Sequence, residues 1–209
     1  MTHSLHRVGT RESLQRDWVM LCMPSKDINH VGSGPKLRRF LELCLKNGCV
    51  TLGDARKGNA FHQGSLENMM NNIEDRAVVT ASFNNKDAVI QMLRDLKEED
   101  LGLSVVVSGL VDEVADCCAK TGLRHHTVHQ SLGRWGRTEK LPPEEILEIA
   151  TMCGHALVAV NFINEMIDEV KKGKMTSKEA ADELFKPCMC GIFNTDRAAK
   201  LIDAIVAKG

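Results

Sequence analysis

Along the first 140 residues, short apolar runs alternate with amphipathic stretches. DWVMLCMPS (17–25) predicts a buried strand stopped by Pro24. GSGPKLRRFLELCLKNG (32–48) predicts a helix. Pro35 suits its first turn, Leu37, Phe40, Leu41, Cys44 and Leu45 share one face, and Gly48 suits its C-terminal cap. CVTLGD (49–54) predicts a short strand, and GSLENMMNNIED (64–75) a helix capped by Ser65.

The alternation continues. RAVVTASF (76–83) and LSVVVSGL (103–110) predict strands, and NNKDAVIQMLRDLKEED (84–100) and VDEVADCCAKTG (111–122) predict helices. HHTVHQSLG (125–133) predicts one more strand. Strand–helix alternation in short units implies crossover connections, so the expected fold is α/β with a mostly parallel sheet and flanking helices. Runs such as SVVVSGL fit a sheet covered on both faces.

From Leu141 the pattern turns helical, dividing the chain into a 1–140 sheet portion and a 141–209 helical portion packed with it as one unit. LPPEEILEIATMCGHALVAVNFINEMIDEVKKG (141–173) is too long for one helix of a compact domain, and Gly154 predicts a break near Cys153 and His155. Thr176 and Glu179 form a capping box, and Ala198, Leu201, Ile202 and Ile205 make one face of a last helix. Three or four helices are expected here.

Composition narrows the functional classes. Hydrophobic residues make up 43%, charged residues 26%, and the formal net charge is −1, so no pull toward nucleic acid or an anionic membrane is expected. Tyrosine is absent and aromatics are 4%, which argues against a stacking platform for single strands. The start has no secretory-type apolar stretch and no run reaches a membrane span of ~20 apolar residues. A cytoplasmic protein is expected, with its eight cysteines serving as reduced thiols, ligands or catalytic groups. The amino-terminal His3, His6, Arg7 and Arg11 could fold over a site or belong to a frayed end, and frayed ends are the rule.

Two constellations carry candidate chemistry. TMCGH holds Cys153 and His155, and KPCMCG holds Cys188 and Cys190. Residues two apart on a regular helix point about 200° apart. Breaks at Gly154 and between Pro187 and Gly191 could turn each pair to one side. Three thiols and an imidazole suit zinc or an iron–sulfur cluster, although C-x-C is tighter than the common ligand spacings. A thiolate at a helix start, stabilised by the helix dipole, would serve redox chemistry instead. Cys22, Cys44, Cys117 and Cys118 fit packing, and Cys49 could be a surface thiol or a fifth ligand.

The second constellation is RHHTVHQSLGRWGRTEK (124–140). Arg134, Trp135 and Arg137 between glycines could hold a carboxylate or phosphate, and His129 could transfer a proton near neutral pH. INHVGSGPK lacks the spacing of a phosphate loop and reads as a plain connection. Three functions follow as expectations. One is a metal- or iron–sulfur-binding protein in a redox or metalloenzyme-accessory role, with a matching partner protein. Another is an enzyme on a small anionic metabolite. The last is a binding domain with buried thiols. A homodimer would cover the sheet edges.

Overall fold

The computed structural model describes residues 3–208. Its centre is a five-stranded sheet. The strands are β1 (Trp18–Met23), β2 (Thr51–Asp54), β3 (Gly58–Asn59), β4 (Val79–Phe83) and β5 (Ser104–Ser108), in the spatial order β3-β2-β4-β1-β5. Every neighbouring pair is antiparallel. The mostly parallel sheet expected from the alternation is therefore wrong.

The reason lies in which strands become neighbours. β4 and β5 run in one direction, as a β-α-β unit requires, but β1 lies between them and pairs antiparallel with both. β1 and β2 likewise run together, with β4 inserted between. Both units are split. A strand–helix–strand pattern fixes relative direction, not adjacency, and full burial on both faces does not require parallel pairing.

The helices are α1 (Arg11–Leu14), α2 (Ser33–Lys46), α3 (Leu66–Asn71), α4 (Lys86–Glu99), α5 (Val111–Thr121), α6 (Glu144–Ala150), α7 (Val160–Lys171), α8 (Ser177–Phe185) and α9 (Thr195–Ala207). Their ends follow local chemistry. Ser65, Asn85 and Asn194 accept from backbone N–H groups at the starts of α3, α4 and α9, and Thr176 with Glu179 closes the capping box of α8. Gly122 ends α5 in the left-handed conformation.

The sheet separates two cores. Trp18, Met20 and Cys22 of β1 point to one face, where Leu37, Phe40, Leu41, Cys44, Val89, Met92 and Cys117 cover them. Val19 points to the other, where α6 to α9 bring Ile149, Met152, Ile163, Leu184, Ile192, Phe193 and Ile202. The helical portion is thus the second covering layer of the sheet. Segment 125–133, expected as a strand, is irregular and exposed. No helix among the described residues is long and apolar enough to cross a membrane.

Burial of so many thiols has a consequence for alkaline stability. Desolvation pushes Cys22 up to about 12 and Cys117 up to about 11, and raises Cys44 well above the ordinary thiol value. A group whose folded value is raised keeps its contribution below its unfolded value and loses it as pH climbs toward the folded one. Stability should therefore fall above about pH 8.5, where unfolded thiols ionise and folded ones do not. Urea denaturation at stepwise rising pH checks this; a flat stability from pH 8 to about 10.5 would refute it.

Candidate functional site

The second face of the sheet is polar where the cysteine loop lies on it. Strand pairing sets Thr51 opposite Ser82, and Gly53 opposite Thr80, with Val19 and Leu21 completing the two rows. All are buried, although threonine and serine alternating with valine, alanine and phenylalanine would ordinarily mark a solvated face. Segment 186–193, KPCMCGIF, lies over them. Thr80 Oγ1 donates to the carbonyl of Cys190, Thr51 Oγ1 donates to that of Phe193 at 3.1 Å, and Asn59 Nδ2 donates to that of Cys188 at 2.9 Å. The loop is fastened to the sheet by its own backbone oxygens.

Glycines make this approach close. Gly191 has φ +80°, and a Cβ there would overlap the backbone of Leu52 and Gly53. A Cβ on Gly53 would stand 2.7 Å from the carbonyl oxygen of Cys190.

The loop's thiols then meet those of the other motif. The break after α6 comes where Gly154 predicts it, and residues 151–159 are turns with Ala156 at φ +55°. This turns Cys153 inward. Its thiol hydrogen-bonds with that of Cys188, which in turn hydrogen-bonds with that of Cys190. Cys190 Sγ lies 3.8 Å from His155 Nδ1. All three sulfurs are buried, whereas His155 is exposed. The four residues singled out from the two motifs thus converge, 35 residues apart in sequence.

The thiols differ in proton affinity along the chain of contacts. Donation to Cys188, then burial, holds Cys153 well above the ordinary thiol value. Acceptance from Cys153 pulls Cys188 down, but donation to Cys190 and burial prevail and push it up to about 12. Cys190 alone is lowered, first by the hydrogen bond from Cys188, then by the Ile192 backbone N–H and the charge of Arg7, against the opposing effect of burial. Of the three thiols, Cys190, beside the imidazole, is the one that loses its proton most readily.

Arg7 is a site residue that the sequence reading placed in a frayed end. Its Nη2 donates to the carbonyls of Met152 at 2.9 Å and Ile192 at 2.6 Å, one beside each cysteine motif. Its Nη1 pairs with Asp17, and its buried Nε has no partner among the described residues. Asp17 also takes Arg197 Nη1 at 2.7 Å, and Arg197 reaches the carbonyl of Val8 and Glu148. A carboxylate abutting an apolar run, as Asp17 abuts WVMLC, was the one sequence signal of this network. The side chain of His3 lies outside the described residues.

Other candidates lie elsewhere. Cys49 lines a separate cavity of about 270 Å³ with Leu45, Leu52, Leu66, Phe185 and Lys178, and burial pushes its thiol up to about 12; it is no fifth member of the cluster. His129, Arg134, Trp135 and Arg137 sit on the exposed loop. Arg134 turns to Glu144 at 2.6 Å and Arg137 to Glu139 at 3.5 Å, while the Trp135 indole donates to the Leu132 carbonyl and is 83% exposed. His129 stands on no strand, because 125–133 forms none.

Among the described residues, no group of three or more His, Cys, Asp or Glu side chains already stands in an arrangement that could hold a metal ion. No family model, curated protein or solved structure matches the chain.

Proposed function

We propose that this protein binds a single thiophilic metal ion of the zinc type through Cys153, Cys188 and Cys190, with His155 as the fourth donor. One observation carries this reading: two separate loops bring three buried thiols into mutual contact, beside an imidazole nitrogen. The donor set suits zinc. In a tetrahedral site with zinc–sulfur bonds of about 2.3 Å, neighbouring sulfurs stand about 3.8 Å apart. Cys190 Sγ and His155 Nδ1, at 3.8 Å, stand at that spacing, and metal binding would draw the other two thiols in around the ion, since the described residues hold no ready-made metal arrangement.

Of the two centres named from the sequence, the single ion fits better. An iron–sulfur cluster places several iron atoms between its thiolates, and sulfurs in contact with one another leave no such space. Burial of all three sulfurs suits a structural ion rather than a turning-over redox thiol, which needs solvent access. The protein supplies its part in advance: Arg7 ties both loops together and helps stabilise negative charge on Cys190.

The test is elemental analysis of protein purified without chelators, with cobalt substitution followed by absorption. One ion per chain and a sulfur-to-cobalt band are expected. Cys188→Ala should weaken binding by about tenfold or more, by removing the central thiol. Wild-type protein that binds no ion, with its thiols titrating as free, would overturn the reading.

A further inference from the structure

We propose that the β5 edge of the sheet is a self-association surface, on which a second copy of this chain adds its own β5 antiparallel about a twofold axis at Val106. The inference is independent of the thiol centre.

The two edges of the sheet are not alike. At one end β3 has two residues, both buried, and Asn59 on it is engaged by the carbonyls of Phe185, Lys186 and Cys188. That edge is closed. At the other end β5 has five residues, and each is half-buried, where those of β2 and β4 are all buried. Natural edge strands carry a lysine, a proline, a bulge or an inward charge that prevents further pairing. Ser104-Val105-Val106-Val107-Ser108 carries no charge and no proline, and its pairing with β1 is continuous.

The sequence of this strand selects its occupant. SVVVS reads the same in both directions. Antiparallel pairing centred on Val106 sets Ser104 against Ser108 of the second copy, Val105 against Val107, and Val106 against itself. Each residue meets one of its own kind, and β-branched cross-strand pairs are favourable. Val105 and Val107 pack toward the core that holds Met20 and Cys22, so the two cores would join across the axis.

Charge agrees with this geometry. α5 follows β5 and lies against it, so antiparallel strands bring antiparallel α5 helices side by side. The start of α5 carries Asp112, Glu113 and Asp116, and its end carries Lys120, followed by exposed Arg124. Asp112, Glu113 and Asp116 already pair within one copy with Arg11, Lys86 and Lys120, so the twofold axis brings no unbalanced like charge together. An isologous contact of this kind closes at two copies.

The test begins with the mass of the intact protein in solution. Sedimentation should give twice 23.1 kDa over a range of concentrations. Val106→Lys sets two ammonium groups against each other on the axis and should weaken the dimer by about tenfold or more. Its unchanged thermal unfolding at low concentration would show that the monomer still folds. Val106→Cys probes the register. It alone meets its own copy, so mild oxidation or a short bifunctional thiol reagent should join the copies through residue 106, mapped by peptide mass. Val105→Cys should not join to itself. A monomer at every concentration would overturn the proposal, as would a dimer that Val106→Lys leaves intact or that cross-links through residue 105.

Discussion

Asp17→Ala should cost the protein about 3–5 kcal/mol, the usual loss when one partner of a buried ion pair is removed. The Asp17 side chain is fully buried between Arg197, 2% exposed, and Arg7, 6% exposed. Glu148 supplies a second carboxylate at 3.3 Å from Arg197, so the four groups balance as two cations and two anions. Without Asp17, two buried guanidinium groups are left with one carboxylate, Glu148, which pairs with Arg197. Total stability of a domain is about 5–15 kcal/mol, so the loss is a large share. It should also reach the thiols, because Arg7 is held by Asp17 at one end and holds Met152 and Ile192 at the other. Cys190 in the variant should react faster with a thiol reagent under native conditions. Urea denaturation measures the first effect. For comparison, loss of the exposed Arg11–Asp112 pair should be far milder, because solvent screens it. An Asp17→Ala loss as small as that would show that the network does not hold the loops.

How far the sequence discloses this arrangement depends on the range of each interaction. Helix ends are local. The Ser65 cap, the Thr176–Glu179 box and the break beside Gly154 were legible because the residues that make them lie within a few positions of one another. The positions of β1, β2, β4 and β5 were legible for the same reason, whereas the two-residue β3 was not. Strand neighbours were not, because β1 enters between β4 and β5 from 56 or more residues away in the chain, and no local pattern encodes that. The thiol motifs were legible as pairs, since Gly154, Pro187 and Gly191 mark turns. What joins the pairs was not: Arg7 and Asp17 come from the amino-terminal segment, and Thr51, Thr80 and Asn59 act through hydrogen bonds to carbonyls, which leave no mark on sequence. Segment 125–133 misled because alternating valine and polar residues read as a strand, and nothing local says that no partner strand comes beside it.

The largest effect confined to one loop should come from Gly191→Ala. Two costs add. The left-handed φ of +80° is unfavourable for an alanine by about 1–2 kcal/mol. The new Cβ would also overlap backbone atoms of Leu52 and Gly53, which belong to a paired strand and have no free path to retreat. The loop must lift instead, giving up the bonds from Thr80 to Cys190 and from Thr51 to Phe193. A total of about 3–5 kcal/mol is expected, in the range reserved for core overpacking with broken hydrogen bonds. Gly173→Ala isolates the first cost, because Gly173 has φ +69° and a Cβ there would meet nothing within 4 Å. It should lose only about 1 kcal/mol. The difference between the two variants measures how tightly the loop is pressed to β2. It also tests the thiol cluster by a route that changes no cysteine: lifting the loop should separate Cys190 from His155 and weaken metal binding in Gly191→Ala, while Gly173→Ala binds as the wild type does. Equal losses in the two glycine variants would mean that the loop is not seated on the sheet, and that the four donors are not held together by the fold.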